Sequence, residues 1–183
     1  MNEKINDNDF IPLIGNNSKI IGFEKKQKIH TDGLLHSAVS VFIFNNKNYL
    51  MMQKRSYNKY HSSLLWTNTS CSHPKKNESL LMAAHRCLIV EMGFDCLLKE
   101  KFCFSYYESF KNGIIENELD HVFVGYYDKN PIINSKEVEN WKWMSLDKLI
   151  SNINFYPNLY TIWLKIIMKN YLNKLLYDNS HYK

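Results

Sequence analysis

The chain has 183 residues, which suits one domain around one sizeable core, here read as a single unit over 1–183. Hydrophobic residues make up 45% and charged residues 22%, and no apolar run reaches the about 18 residues of a membrane helix, so an integral helical membrane protein is excluded. The net charge of +5 is spread along the chain, with EKKQK at 24–28 the one dense stretch, so it reads as a solvated basic surface and not as a nucleic-acid face.

In chain order, FIPLIG, NNS and KIIGF read as strand, turn and strand. HSAVSVFIF at 36–44 is β-branched and aromatic and reads as a buried strand, with NNKN as a turn and YLMMQKR as its hairpin partner. Residues 57–77 have no clear period and read as a long structured loop, a common seat of function. A helix is expected from Glu78 to Met92, capped by Asn77, ended by Gly93, with Leu80, Leu81, Ala84 and Leu88 facing the core. KFCFSYY, the turn FKNG and IENELDHVFVGYY read as two further strands. NPIINSKEVEN is a loop and WKWMSL a short strand; from Asp147 the chain reads as helical, closing with the amphipathic TIWLKIIMKNYLNKLL. The class is α+β: a mixed sheet, one central helix, and one or two C-terminal helices.

Cys71, Cys87, Cys96 and Cys103 follow a start, MNEKINDNDF, with no apolar signal core, so they read as reduced thiols of a cytoplasmic protein. WTNTSCSHP at 66–74 sets Cys71 two residues from His73, and alone it allows a turn, a nucleophile or a metal site. In ENELD, strand alternation turns Glu116 and Glu118 to one side, roughly 7 Å apart, and Asn117 to the other. Together with His30, His36 and His73 they would suit a borderline divalent cation; alone, the acidic pair favours a solvated strand face. His61, His85, His121 and His181 read as ordinary surface or core residues.

SHPKKNESLLMAAHRCLIVEMGF is similar to the Nudix box: Ser72 stands at its opening glycine, and Glu78, Arg86, Leu88, Glu91, Gly93 and Phe94 fall in register. Cys87 and Val90 replace two of its glutamates, so most of its metal-binding carboxylates are missing. With GLLHSAVSVFIFN, WTNTSCSHP, GIIENE and YTIWLKII in the same order, nearly the whole chain resembles the type I isopentenyl-diphosphate Δ-isomerases, a branch of the Nudix fold. The resemblance implies a Nudix-type mixed sheet with a central Nudix helix and C-terminal helices packed around it. It implies that His30, His36, His73, Glu116 and Glu118 hold a divalent metal (Mn²⁺, Mg²⁺ or Zn²⁺), and that Cys71 and Glu118 transfer protons on opposite faces of the substrate, with Tyr106 beside them. It further implies that Glu91 holds a second Mg²⁺ through the diphosphate, that Lys26, Arg55 and Lys59 bind phosphate, and that Trp163 faces the isoprenoid. No flavin is implied, and the partner is a small isoprenoid diphosphate, taken up by a monomer or weak homodimer without nucleic acid or membrane. Two departures stand out: the short six-residue step from His30 to His36, and Cys87 where that family usually has a second arginine.

The residue types suit such chemistry. Moving a double bond through a cation-like intermediate needs two groups that trade protons with carbon from opposite sides. A thiol with an ordinary pKa near ~8.5 and a carboxylate can do this. An indole face stabilises a dry cation by about 2 kcal/mol, and a closed apolar pocket keeps water from trapping it. The alternative enzyme is a Nudix diphosphohydrolase acting on a nucleoside diphosphate derivative, against which Cys87 and Val90 argue. A basic RNA-binding domain on the same fold gives no reason for Cys71, His73, Glu116 and Glu118 to occur together.

Overall fold

Nine consecutive buried residues make β3 (His36–Phe44) the central strand of the protein. In the computed structural model, which describes residues 10–176, one edge of β3 pairs in parallel with β8 (Ile115–Tyr126), from His36 opposite Glu118 to Phe44 opposite Tyr126. The starting segment MNEKINDND and His181 lie outside the described residues. The other edge of β3 is shared. β1 (Phe10–Ile14), itself paired with β2 (Ile20–Lys25), meets it at His36; β6 (Ser70–Ser72) meets it over 39–41; β4 (Leu50–Arg55) meets it only at Phe44.

The expected hairpin of β3 with β4 is therefore corrected to a splayed pair. β4 leaves after Leu50 and pairs along its length with β9 (Val138–Met144) and, at its end, with β5 (Trp66–Thr67). The loop between β5 and β6 fills the wedge and satisfies the backbone that the splay exposes. The Thr69 hydroxyl accepts from the Ile43 N–H at 2.9 Å and donates to the Met51 carbonyl at 2.7 Å, while Asn68 Nδ2 donates to the Val41 carbonyl at 3.1 Å. Buried backbone groups need such partners, so TNTS is the piece that lets the sheet open. The long loop of the sequence reading thus contains two short strands.

Strand alternation divides the core in two. Val39, Val41 and Ile43 face α2 (Leu80–Met92), while Phe42 and Phe44, with Val122 and Val124 of β8, face the C-terminal helices. Helix α2 starts two residues later than Glu78. Ser79 Oγ, not Asn77, accepts from the Met82 N–H at 3.2 Å, and Asn77 takes a left-handed φ of 67° in the preceding turn. Its buried face is Ala83, Ala84, Cys87, Leu88, Glu91 and Met92; Leu81, expected in the core, is exposed. Gly93 ends it at φ 73°, where a Cβ would lie 2.2 Å from the Ile132 carbonyl oxygen.

β7 (Leu98–Ser109) and β8 form the long antiparallel pair expected, around a turn closed at Gly113. α3 (Leu146–Phe155 before a short 3₁₀ turn) precedes the closing amphipathic stretch. That stretch forms α2's counterpart on the other face: an α-helical Ile162–Ile166, a π-helical Ile167–Tyr171 and an α-helical Leu172–Leu176, burying Trp163, Leu164, Ile167, Met168 and Leu175. One helix was not foreseen. Lys26–Asp32, named α1, follows β2, buries Ile29 and His30, and stops at Gly33 with φ 67°. No helix among the described residues is long and apolar enough to cross a membrane.

Candidate active site

Ten of the expected site residues line one cavity of about 240 Å³: Lys26, Arg55, Lys59, Cys71, His73, Glu91, Tyr106, Glu116, Glu118 and Trp163. His30 and His36 stand behind it, buried, and complete the cluster. The parallel register sets His36 beside Glu118, α1 brings in His30, and the chain leaving β6 brings in His73. Ligand atoms of His30, His36, His73 and Glu116 all lie within 4.8 Å of one another.

The donor atoms are pre-aimed. The ring Nδ1 of His30 meets the Lys26 carbonyl at 2.6 Å and that of His36 meets the Leu34 carbonyl at 2.8 Å. A carbonyl only accepts, so each Nδ1 carries the proton and each Nε2 presents its lone pair inward. Glu116 Oε2 lies 3.4 Å from His30 Nε2 and 3.8 Å from His36 Nε2. His36 Nε2 and Glu116 Oε2 are buried without a hydrogen-bond partner. Two buried orphan ligand atoms, aimed at one point among imidazoles and carboxylates, fit a divalent cation.

Glu118 sits between this cluster and the cavity. Its Oε1 is 2.9 Å from His73 Nε2 and 3.6 Å from His36 Nε2, and its Oε2 accepts the Tyr106 hydroxyl at 2.6 Å. Burial alone would raise its pKa, but the hydrogen bonds to His36 and His73 hold it well below the usual carboxylate range. Burial lowers His73 to about 4, against Glu118, which leaves the neutral ring a metal needs. Burial also opposes the charged form of His36, yet Glu118 outweighs it and raises that pKa. On the opposite side of β8, Asn117 donates to the Gly33 carbonyl at 2.9 Å and pins the end of α1, as alternation requires.

Cys71 lies opposite Ser40 in the β3–β6 pair and so faces the same side of the sheet as Glu118. Burial pushes its thiol up to about 12 despite Arg55, whose Nη1 is 3.6 Å from the sulfur. Its backbone N–H donates to Glu91 Oε2 at 3.3 Å. Glu91, from α2, also accepts from Gln53 Nε2 at 2.7 Å and Lys59 Nζ at 3.4 Å. Burial disfavours the Lys59 charge, but Glu91 and the hydrogen bond to Glu137 together outweigh it and raise the pKa; Lys26, by contrast, is lowered by burial and by Lys59. Arg55 is turned largely inward, with Nε on the Ser62 carbonyl, Nη2 on the His61 carbonyl and its guanidinium 5.2 Å over the Trp163 ring. Trp163 is anchored by Nε1 on Asn68 Oδ1 at 3.0 Å. The box residues Glu78 and Arg86 form a two-contact ion pair at 2.7 and 2.8 Å, and Arg86 reaches on to the His73 carbonyl at 2.9 Å. Cys87 is buried under α2 against Ser70, 3.3 Å from its hydroxyl.

One histidine changes its reading. His61, taken as an ordinary residue, is buried at the cavity with Nε2 2.7 Å from Glu116 Oε1. Nothing local in KYHSS marked it, because the contact spans 55 residues of sequence separation that only the fold closes. His85 and His121 pair peripherally with Asp95 and Glu100, in keeping with their ordinary reading.

The sequence matches the NUDIX domain family over residues 34–163. It is 48% identical over 160 residues to isopentenyl-diphosphate Delta-isomerase 2 of Photorhabdus laumondii, spanning 87% of this chain and 90% of that one. It is 44% identical to isopentenyl-diphosphate Delta-isomerase 2 of Aromatoleum aromaticum, over 85% and 82% of the two chains. In fold it is similar to the crystal structure of DR0079 from Deinococcus radiodurans, with a TM-score of 0.73 at 14% identity over 88% of this chain and 99% of that one. A MutT protein from Methanosarcina mazei aligns with a TM-score of 0.56 at 20% identity over 64% and 81%. With a Nudix fold, a histidine–carboxylate cluster beside a half-buried thiol, and this degree of identity over most of its length, the chain belongs to the isopentenyl-diphosphate Delta-isomerase family.

Proposed function

We propose that the protein interconverts isopentenyl and dimethylallyl diphosphate in a divalent-metal-dependent reaction. The observation that carries this is the pair of orphan atoms, His36 Nε2 and Glu116 Oε2, in a cavity that also holds the Cys71 thiol and the Glu118–Tyr106 pair. His30, His36, His73, Glu116 and Glu118 would hold the metal, Mn²⁺, Mg²⁺ or Zn²⁺. When bound, it supplies positive charge that keeps Glu118 ionised and oriented.

In this reading one proton is added at C4 of the substrate and another is removed from C2, so the double bond moves and the proton count is unchanged. Cys71, neutral with a pKa of about 12, has a proton to give; Glu118, held ionised, has a lone pair to take one. The Tyr106 hydroxyl fixes the Glu118 oxygen it touches. The Trp163 face, braced by Asn68, stabilises positive charge between them by about 2 kcal/mol in a dry site. Lys26, Arg55 and Lys59 gather at the cavity as counter-charges for the diphosphate, with Glu91 as the anchor of a second, Mg²⁺-dependent contact.

The test is an isomerase assay on Cys71→Ala and Glu118→Gln. Each should lose about 10²–10⁴-fold in turnover, and the double variant should be little worse than either single one. Wild-type-like turnover in either would remove the roles assigned. Hydrolysis of nucleoside diphosphate derivatives without isomerisation would favour the Nudix diphosphohydrolase reading.

A further inference from the structure

We infer that His61 is a positioning residue of the metal centre: it holds Glu116 by one oxygen so that the other faces the metal. The inference rests on the proposed metal reading and adds a residue to it. Glu116 is buried, and its two oxygens are used differently. Oε1 meets His61 Nε2 at 2.7 Å; Oε2 has no hydrogen-bond partner and points among His30 and His36. A carboxylate only accepts, so at Oε1 the proton sits on His61 Nε2.

His61 is built to hold that proton in place. Its Nδ1 lies 3.2 Å from the Ser62 hydroxyl, which can donate to it and leave Nε2 as the protonated nitrogen. Its ring packs against Phe110 at 5.0 Å and Tyr60 at 4.6 Å, and stands edge-on to Trp163 at 6.1 Å. Its carbonyl is clamped by Arg55 Nη2 at 3.3 Å. The tautomer is the reverse of that of His30 and His36, whose Nδ1 atoms face carbonyls. His30 and His36 therefore turn an unprotonated Nε2 toward Glu116 Oε2, while His61 turns a protonated one to Oε1. His61 also joins the metal side of the cavity to the Trp163 wall, so it keeps the two in fixed relation.

Manganese(II) binding to the metal-stripped protein, followed by the electron paramagnetic resonance of the free ion, tests this on wild type, His61→Leu and His61→Gln. Removal of the donor in His61→Leu should weaken binding about 10–100-fold, and His61→Gln, which keeps an N–H at that reach, should recover most of it. Equal affinity in wild type and His61→Leu overturns the assignment, as does a His61→Gln that is no better than His61→Leu. A wild-type protein that binds no Mn²⁺ overturns the metal reading itself, and the role of His61 with it. If His61→Leu does not fold, ¹⁵N NMR of the wild-type histidines decides. The Nε2–H form at His61, with Nδ1–H forms at His30 and His36, supports the assignment, and an Nδ1–H form at His61 overturns it.

Discussion

Two acidic centres face the cavity, one on the sheet and one on the helix, and they are balanced in different ways. On β8, Glu116 and Glu118 stand among four imidazoles, and two buried ligand atoms there have no partner. On α2, Glu91 is served by Gln53, Lys59 and the Cys71 N–H, and is neutralised by a lysine. Strand geometry explains the difference. Residues two apart on β8 project to one side, and the parallel register adds His36 beside them, so the sheet gathers ligands densely. The helix would need further carboxylates one turn apart, and it carries Cys87 and Val90 near those places. The cluster compatible with a divalent metal thus lies with the sheet, while the helix contributes a single carboxylate already compensated by protein charge.

The largest way to break this comparison is Glu116→Gln. It removes the charge facing His30 and His36, so under the proposed metal reading we expect divalent-metal binding to be lost and turnover to fall about 10³–10⁴-fold. Elemental analysis after dialysis checks the metal, and Glu91→Gln should retain it. A Glu91→Gln protein that loses its metal as Glu116→Gln does would show that the two centres are one.

Cys71 stands between the centres and reports on both. Its folded pKa of about 12 lies above the ordinary ~8.5, so the thiol is neutral through the physiological range and the thiolate forms only as pH rises. In metal-stripped protein at pH 8, we expect iodoacetamide to alkylate Cys71 about 10³-fold more slowly than a small free thiol, read by mass spectrometry of its peptide. A rate close to the free thiol would mean that Arg55 dominates over burial at this sulfur.

Much of the sheet centre was legible because its signals are local. Alternation in ENELD put both glutamates on one side, and the β-branched and aromatic run HSAVSVFIF marked β3 with His36 at its start. What was not legible depends on long-range closure. The β3–β4 splay follows from Thr69 and Asn68 satisfying backbone across the wedge, which no hairpin pattern reveals. α1 is seven residues long, too short for a clear helical period, although Gly33 was a stop signal available in the sequence. His61 sits in a polar loop and becomes a site residue only when Arg55 folds that loop onto Glu116. Asp120, one alternation beyond Glu118, was passed over too; it accepts the Ser40 hydroxyl at 2.8 Å, and burial and Glu118 raise its pKa.

A smaller effect sharpens the role of the helix centre. Glu91→Gln keeps the Gln53 and Cys71 contacts within reach but removes the charge that opposes Lys59. We expect about a tenfold rise in KM for the diphosphate, equivalent to roughly 1.4 kcal/mol, with the Mg²⁺ dependence of KM flattened and kcat changed less. An equal fall in kcat and kcat/KM would place Glu91 in the proton-transfer step instead.

The smallest effect concerns the frame that carries both centres. Glu78 joins Arg86, and Arg86 joins the His73 carbonyl, so the entry to α2 is tied to one imidazole of the sheet centre. Burial works against the Glu78 charge, but the Arg86 hydrogen bonds and the Lys75 N–H outweigh it and hold the pKa below the carboxylate range. A depressed folded pKa contributes stability above the unfolded value of about 4.3, and that contribution disappears as pH falls through the folded value. The pair is partly exposed, with side chains 12% and 26% accessible, so screening keeps its worth to about 1 kcal/mol. Urea denaturation should therefore show Glu78→Gln less stable than wild type at pH 7, with the gap closing in acid, while Mn²⁺ affinity stays within about threefold because no ligand is touched. A gap that persists at low pH would assign the loss to packing and not to charge. A collapse of Mn²⁺ affinity would mean that Arg86 holds His73 in place, and the helix would then support the sheet's metal centre directly.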